Sequence, residues 1–213
     1  MVSIAPSMLG ADFGRMREAA ELVAPHSSYL HMDVMDGHFV PNLTFGPFII
    51  SQIRKITDLH LETHLMIENP DKYISEYAKA GSDTIIIHYE ASHNIAKDLQ
   101  KIKSYNRNAG IAINPDTDYK LLTPYLEDLD YILIMSVFPG FGGQKFIEST
   151  LECMRYLVDN TKNYNITIGV DGGVNLSTID RVYQTGIDVT IVGSALYGAT
   201  NVEQRYLELI NEK

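Results

Sequence analysis

The sequence predicts an α/β protein folded as a (β/α)8 TIM barrel, in which a ring of parallel strands is surrounded by helices. Apolar runs typical of strands alternate eight times with helical patterns along the 213 residues, and such alternation favours a parallel sheet. Eight units in a chain of about 200 residues fit a closed barrel better than a doubly wound sheet. The segment Met8–Asp12, after the first strand, also lacks the glycine-rich fingerprint of a doubly wound nucleotide-binding fold.

The predicted elements follow one another without a linker rich in proline, glycine or serine. We therefore expect a single (β/α)8 barrel catalytic domain over residues 1–213. The strand-like runs cover residues 2–7, 28–34, 60–66, 83–88, 109–114, 130–136, 166–171 and 188–193. The patterns of helical period cover residues 12–24, 46–56, 70–80, 93–105, 117–126, 147–160, 175–185 and 202–212.

Charge and composition exclude several classes of partner. The formal net charge is −10, which disfavours binding to nucleic acid or to an anionic membrane surface. Cys153 is the only cysteine, so we expect an inert, packed thiol in a reducing compartment. The chain has neither a signal-peptide pattern at its start nor an apolar run long enough to cross a bilayer. These features predict a cytoplasmic protein, and barrels of this kind often associate, so we expect a homo-oligomer.

Histidine and aspartate side chains lie near the C-terminal ends of three predicted strands. His31 and Asp33 share one face of their strand, because successive side chains point to opposite faces. His64 lies near the end of the next strand, and Asp171 ends a β-branched run before two glycines. Burying such groups without partners is costly, so their convergence predicts a metal site. Mixed imidazole and carboxylate ligands suit one divalent metal ion, either Zn, Fe(II), Mn or Co.

Polar, sulfur-containing or glycine residues lie at the C-terminal ends of all the predicted strands. Active sites of barrels form at this end of the strands. The residues at these ends are Ser7, His31 with Asp33, His64 with Met66, His88, Asn114, Met135, Asp171, and Gly193 with Ser194. Packing alone does not account for such a ring, so it predicts a ligand-binding mouth.

Glycine-rich turns follow the last three predicted strands, in Pro139–Gln144, Gly172–Gly173 and Gly193–Ser194. Glycine lets backbone N–H groups approach an anion closely, and barrels often bind phosphate after strands seven and eight. A single cluster is explained equally well as a tight turn, but three neighbouring clusters favour a phosphate site. The Ser194 hydroxyl is a candidate donor to that phosphate, and Lys145 is expected to remain solvated.

Four segments together resemble the ribulose-phosphate 3-epimerase family over nearly the whole chain. They are His31–Asn42, His64–Met66, Pro139–Gln144 and Val170–Val174, of which the first and third are highly specific. The resemblance implies a (β/α)8 barrel that interconverts D-ribulose 5-phosphate and D-xylulose 5-phosphate. It also implies that the partner is a small sugar phosphate and that the protein acts as an isomerase in carbohydrate metabolism, in the pentose phosphate pathway.

The resemblance further implies roles for individual residues. The metal-ligand positions are matched by His31, Asp33, His64 and Asp171, of which Asp33 and Asp171 also match the paired acid/base positions. A methionine cluster beside the substrate is matched by Met35, Met66 and Met135. The substrate and phosphate positions are matched by Ser7, His64, Gly142, Gly143, Gly173, Gly193 and Ser194.

The sequence departs from the family pattern at two positions. Gly169 stands where the family usually has an acidic residue, on the same strand face as Asp171. Phe138 stands before Pro139, where a polar residue is common. The first departure alters the expected electrostatic surroundings of Asp171, and the second alters the expected lid contacts. Neither removes a predicted catalytic group.

Several other polar residues receive smaller roles. Glu62 shares a strand face with His64 and is a weaker candidate for metal ligation. We expect His38 and His88 to make structural hydrogen bonds rather than to bind metal. Asp36 is expected to cap the turn at Gly37 rather than to take part in catalysis.

The implied reaction explains why two carboxylates are needed. Epimerisation next to a ketone begins with removal of the proton at C3, which leaves a planar ene-diolate. One carboxylate on each face can then act as base and acid, and Asp33 and Asp171 come from well-separated strands. Soft, uncharged methionine thioethers suit the flat face of that intermediate.

Other functions stay open at this point. The same chemistry on D-allulose 6-phosphate would make the protein a 3-epimerase of a hexulose phosphate. A Schiff-base lyase would need a lysine at a strand end, and none of the eight ends carries one. A non-catalytic phosphosugar-binding barrel would need the glycines but neither the second aspartate nor the metal ligands.

Overall fold

The eight strands of the computed structural model, which describes residues 2–210, form one parallel sheet. They are β1 (Ser3–Pro6), β2 (Tyr29–Met35), β3 (His60–Met66), β4 (Thr84–His88), β5 (Asn108–Ile113), β6 (Tyr131–Met135), β7 (Thr167–Asp171) and β8 (Val189–Val192). Their order is β1-β8-β7-β6-β5-β4-β3-β2, and a parallel bridge between Ser7 and His31 joins the two ends. The predicted (β/α)8 barrel is therefore confirmed.

Helices follow the strands around the outside of the barrel. They are α1 (Met16–Val23), α2 (Pro47–Arg54), α3 (Ile74–Ala80), α4 (Ile95–Ser104), α5 (Thr150–Asn160), α6 (Ile179–Tyr183), α7 (Ser194–Tyr197) and α8 (Val202–Leu209). Within residues 2–210, no helix combines the length and the apolar character needed to span a membrane. Residues 211 and 212 of the last predicted helix lie outside the described part.

Not every helical segment matches the predictions. The pattern over residues 117–126 forms a 3-10 helix, Tyr119–Tyr125, rather than an α-helix. Pro124 lies inside this segment, and a proline has no N–H to donate to an α-helical hydrogen bond and disfavours helical backbone before it. The short helix α7 was not predicted, because its four residues are too few to show a period.

The strands separate two apolar layers. The larger layer lies between the strands and the helices and contains Leu30, Met32 and Val34 of β2. A smaller group fills the inside of the barrel and contains Ala5, Ile86, Ala112, Tyr131, Leu133, Met135, Val137, Val189 and Ile191. His31 and Asp33 alternate with the outward residues of β2 and are buried, so they point inward as the sequence predicted.

The position of His31 in its strand differs from the prediction. His31 and Asp33 were expected at the C-terminal end of the strand, but β2 continues to Met35. Val34 and Met35 pair with Leu65 and Met66 of β3, and this pairing keeps the strand extended. His31 consequently lies in the middle of β2, deeper in the barrel than Asp33.

Candidate active site

A cavity of about 280 Å³ lies at the C-terminal end of the barrel. The predicted site residues that line it are Ser7, Asp33, Met35, Met66, Met135, Gly142, Gly143, Asp171, Gly173, Gly193 and Ser194. His31 and His64 have no exposed surface and lie beneath the cavity rather than in its wall. The strands therefore bring the predicted residues together, with the two histidines below the floor.

Four ligand-type side chains converge at the floor of the cavity. They are His31, Asp33, His64 and Asp171, and one nitrogen or oxygen atom from each lies within 4.8 Å of the others. Asp33 Oδ1 is 3.5 Å from His31 Nε2 and 3.4 Å from His64 Nδ1. Asp171 Oδ2 is 3.8 Å from the same nitrogen of His64. The four residues predicted as metal ligands from the sequence therefore form one group that could hold a metal ion.

Glu62 orients the ring of His31. Its Oε2 lies 3.1 Å from His31 Nδ1, and both side chains are completely buried. An ionised carboxylate can only accept, so Nδ1 donates and Nε2 is directed at Asp33. The sequence made Glu62 a weaker candidate for a metal ligand. In the structure it contacts His31 at Nδ1, the ring nitrogen that does not face Asp33.

His64 is oriented by a longer chain of polar groups. Its Nε2 lies 2.9 Å from His88 Nε2, and His88 Nδ1 lies 3.0 Å from Glu90 Oε2. Because Glu90 accepts from His88 Nδ1, a neutral His88 accepts at Nε2 from His64. His64 Nδ1 is then unprotonated and faces the two aspartates. His88 makes a structural hydrogen bond, as expected, while the part played by Glu90 was not foreseen.

The donor atoms fit a divalent metal ion. Within residues 2–210, His31 Nε2 and His64 Nδ1 are buried and make no hydrogen bond. Both nitrogens instead face carboxylate oxygens at 3.4 to 3.5 Å. Metal-bound histidines characteristically donate their other nitrogen to a carboxylate or another polar group, as both histidines do here. Two imidazoles and two carboxylates form a mixed set that suits Zn, Fe(II), Mn or Co.

The two aspartates have opposite electrostatic surroundings. Burial alone would raise the pKa of Asp33, but neighbouring His31 and His64 outweigh it and hold that pKa well below its usual range. Burial and the nearby charge of Asp33 raise the pKa of Asp171 to about 7. Ser7 adds to the difference, because its hydroxyl donates to Asp33 Oδ2 at 2.6 Å.

The pKa values of the two histidines, like those of the two aspartates, are shifted in opposite directions. Burial would lower the pKa of His31, but the charge of Asp33 and the hydrogen-bonding contacts with Asp33 and Glu62 together outweigh it, and that pKa is raised well above its ordinary value. For His64, burial dominates over the opposing effect of Asp33, and the pKa falls to about 3. Positive charge is therefore favoured on His31 and disfavoured on His64.

Backbone constraints hold Asp171 at the end of β7. Ser136 donates from its backbone N–H to the Asp171 carbonyl at 2.7 Å and from its hydroxyl to the Gly172 carbonyl at 2.6 Å. Gly172 has a φ of +118°, and a Cβ there would lie 2.4 Å from Val137 Cγ2. Only glycine fits this turn, which explains the residue type that follows the aspartate.

The three methionines line the cavity from two sides. Met35 and Met66 pack together with Val40 at its rim, whereas Met135 belongs to the group inside the barrel. Each is at most 3% exposed. They present thioethers to the same space as the two aspartates.

The glycine-rich turns after β6, β7 and β8 form another wall of the cavity, called the glycine wall below. Gly143 and Gly173 have φ values of +73° and +65°, and a Cβ on Gly173 would lie 2.5 Å from the backbone nitrogen of Phe146. For Gly142, no atom of the described residues lies within 4 Å of the place where a Cβ would stand. Asn42 donates to the Gly140 carbonyl at 2.8 Å, which ties the Pro139–Gln144 loop to the segment after β2.

Comparisons with known proteins show the family of the chain. Residues 3–197 match the model of the ribulose-phosphate 3 epimerase family. A relative named ribulose-phosphate 3-epimerase from Bacillus subtilis (strain 168) is 41% identical over 217 aligned positions, covering all of both chains. A relative of the same name from Aquifex aeolicus (strain VF5) is 42% identical, covering 98% of this chain and 96% of the relative. The chain belongs to the ribulose-phosphate 3-epimerase family.

A solved structure extends the likeness to a different enzyme. A mutant tryptophan synthase alpha-subunit from Pyrococcus furiosus has a TM-score of 0.73 over 98% of both chains, with 11% sequence identity. At that identity the likeness supports the barrel fold alone. Membership of the epimerase family, by contrast, makes the protein an isomerase and disfavours the non-catalytic binding barrel that the sequence left open.

Proposed function

We propose that this protein interconverts D-ribulose 5-phosphate and D-xylulose 5-phosphate by moving the proton at C3. The family match and relatives of that name at 41 to 42% identity support the substrate class. The observation that carries the proposal is the pairing of Asp33 and Asp171. These carboxyl groups come from β2 and β7 and reach the same cavity floor.

In this mechanism Asp33 and Asp171 act from opposite faces of the substrate. One carboxylate removes the proton from C3, and the other, in its acid form, returns a proton to the opposite face. Different surroundings give the pair different proton affinities: the pKa of Asp33 is lowered, while that of Asp171 is raised to about 7. Such a split suits one base and one acid. In the reverse direction the roles exchange.

His31, Asp33, His64 and Asp171 would hold a divalent metal ion. When bound, that ion would stabilise the negative charge that develops on the oxygens at C2 and C3. Glu62 and His88 keep the two histidine rings turned so that an unpaired nitrogen of each faces the aspartates. Met35, Met66 and Met135 exclude water from the flat intermediate without adding a competing charge.

The glycine wall would bind the phosphate group. Gly142, Gly143, Gly173 and Gly193 line the cavity and, having no side chain, would let a phosphate approach their backbone N–H groups, while Ser194 would add a hydroxyl. The glycines, Ser194 and both aspartates line the same cavity, so a bound phosphate would fix the position of C3 relative to the aspartates. Binding energy from the phosphate then contributes to the rate at C3.

One assay tests the substrate and the metal together. The protein is assayed after removal of metal and again after reloading with one of the four candidate metals. Each form is assayed with D-ribulose 5-phosphate and with D-allulose 6-phosphate. We expect activity to require reloading and kcat/KM to be at least 10-fold higher for the pentulose phosphate, which corresponds to about 1.4 kcal/mol. Full activity in stripped protein would contradict the metal site, and preference for the hexulose phosphate would make it the substrate.

A further inference from the structure

Tyr131 occupies the space that Gly169 leaves open inside the barrel. Gly169 lies on β7, and a Cβ built on it would be 2.3 Å from the Tyr131 hydroxyl and 2.9 Å from two ring carbons. Tyr131 comes from the start of the neighbouring strand β6 and is 3% exposed. No side chain could stand at position 169 unless the tyrosine moved, so the two residues form one packing unit.

This unit brings a hydroxyl to the rear of the metal site. The pKa of Tyr131 is raised well above its ordinary value, first by burial and then by the adjacent carboxylate of Glu62. The Tyr131 hydroxyl and Glu62 Oε1 are both buried, and neither has a hydrogen-bond partner of ordinary length within residues 2–210. The Tyr131 hydroxyl is thus a buried donor without a partner, and it lies beside the Glu62 carboxylate, which has a buried acceptor oxygen without a partner.

The other oxygen of Glu62 is already engaged. Oε2 accepts from His31 Nδ1 at 3.1 Å, and His31 Nε2 faces Asp33. A small rotation of the Glu62 carboxylate or of the tyrosine ring would place both Glu62 oxygens in hydrogen bonds. Burying a carboxylate with one oxygen unpaired is costly, so this arrangement is favoured.

We propose that Tyr131 is a positioning residue for the metal site: its hydroxyl donates to Glu62 Oε1 and so fixes the carboxylate that orients His31. Gly169 is required because any larger side chain would displace that hydroxyl. The proposal rests on the metal site of the proposed function. Outer groups that hold a metal-binding histidine typically affect metal affinity about 10- to 100-fold.

Tyr131→Phe tests the proposal, because it removes only the hydroxyl. Tyr77→Phe is the matched control, since Tyr77 is also 3% exposed but lies in α3, outside the barrel interior. Cobalt affinity is measured by competition with a chelator, and the visible spectrum of the cobalt-loaded protein reports the ligand field. We expect Tyr131→Phe to weaken cobalt binding about 10-fold and to shift the spectrum. Tyr77→Phe should change neither.

A double substitution separates this route from a general effect on packing. In a Glu62→Met background the tyrosine has no carboxylate to hold, so Tyr131→Phe should weaken cobalt binding less than about 2-fold further. Unchanged affinity in the single variant would overturn the proposal, and so would an equal loss in both backgrounds. If the wild-type protein bound no cobalt with 1:1 stoichiometry, the metal site itself would fail instead.

Discussion

The two walls of the cavity are built by different means. The wall formed by β2, β3 and β4 presents side chains fixed on strands, and it is supported from beneath by His31, His64 and His88, which are completely buried. The wall formed by the turns after β6, β7 and β8 presents backbone, and Gly142 and Gly143 in it are exposed. The first wall can hold reacting groups in fixed positions, whereas the second can surround an anion whose charge is spread over several oxygens.

This difference predicts how each wall responds to substitution. In the wall formed by β2, β3 and β4, called the side-chain wall, the chemical identity of the new residue decides how much activity is lost. Asp33, for example, lies beside His31 and His64, which interact with its charge. In the glycine wall, the backbone conformation decides how much activity is lost, because Gly173 needs a positive φ and Gly142 does not. Substitutions of similar size should therefore have effects of different size and kind in the two walls.

The largest effect is expected for the two aspartates. Asparagine keeps the size of aspartate and one oxygen but cannot accept the proton, so Asp33→Asn and Asp171→Asn should each lower epimerisation at least 10²-fold. If Asp171→Asn retains metal, Asp33 should still exchange the C3 proton of one epimer with solvent. Asp33→Asn should retain the converse exchange. Deuterium uptake at C3 in D₂O, with each epimer, measures both.

Metal content has to be equal among these variants, since both aspartates are also candidate ligands. Variants with matched cobalt occupancy and the wild-type protein therefore form the comparison. Equal exchange of both epimers by either variant would point to a single base or a water-mediated route. Epimerisation near the wild-type rate would exclude that aspartate as a proton carrier.

A smaller effect is expected for Gly173→Ala in the glycine wall. The new Cβ would lie 2.5 Å from the Phe146 nitrogen at a φ of +65°, which costs about 1–3 kcal/mol of strain and moves the turn. We expect KM for D-ribulose 5-phosphate to rise about 10-fold, while activity on free D-ribulose and cobalt affinity stay unchanged. Steady-state kinetics with both sugars measures this difference.

Gly142→Ala is the matched control in the same wall, because its Cβ would meet no atom of residues 2–210 within 4 Å. Its kinetic constants should stay within about 2-fold of the wild type, as for most surface substitutions. If Gly173→Ala impaired the free sugar and the phosphate equally, the turn would support the barrel rather than the phosphate.

Much of the side-chain wall could be predicted from the sequence. The alternation of Leu30, Met32 and Val34 with His31 and Asp33 fixes which residues point inward, since strand side chains have a period of two. The barrel itself follows from the alternation of strand and helix patterns. The roles of individual site residues, the homo-oligomer and the cytoplasmic location stay predictions.

The groups behind the ligands could not be predicted in the same way. In the sequence, Tyr131 looks like one more apolar residue of a strand, and Glu90 looks like a polar residue of a loop. Tyr131 adjoins Glu62, which is 69 residues away along the chain, and only closure of the barrel brings these two residues together. Glu90 contacts His88, which is 2 residues away. One signal was available: Gly169 in a strand interior often marks the close approach of another group.

The smallest of the three effects is expected for Glu90→Gln, which sharpens the comparison within the side-chain wall. Burial would raise the pKa of Glu90, but His88 and the Asn114 N–H outweigh it and lower that pKa, so Glu90 is ionised at neutral pH. Replacing its charge weakens the acceptor that fixes His88 and, through it, His64. Because the effect passes through one additional ring, we expect cobalt affinity to fall about 3- to 10-fold, near or below the range for direct outer contacts.

A second measurement on Glu90→Gln, inhibition by inorganic phosphate, tests whether the two walls act independently. Inhibition by inorganic phosphate should stay as in the wild type, because the hydrogen bonds of Glu90 within residues 2–210 are with His88, Asn114 and Thr117, none of which belongs to a glycine turn. Glu76→Gln, at an exposed position in α3, is the control and should change neither quantity. A loss of phosphate inhibition in Glu90→Gln would mean that the walls are coupled. Unchanged cobalt affinity would mean that His64 holds its orientation without the chain through His88, and that burial among Asp33, Asp171 and His31 is sufficient to fix the ring.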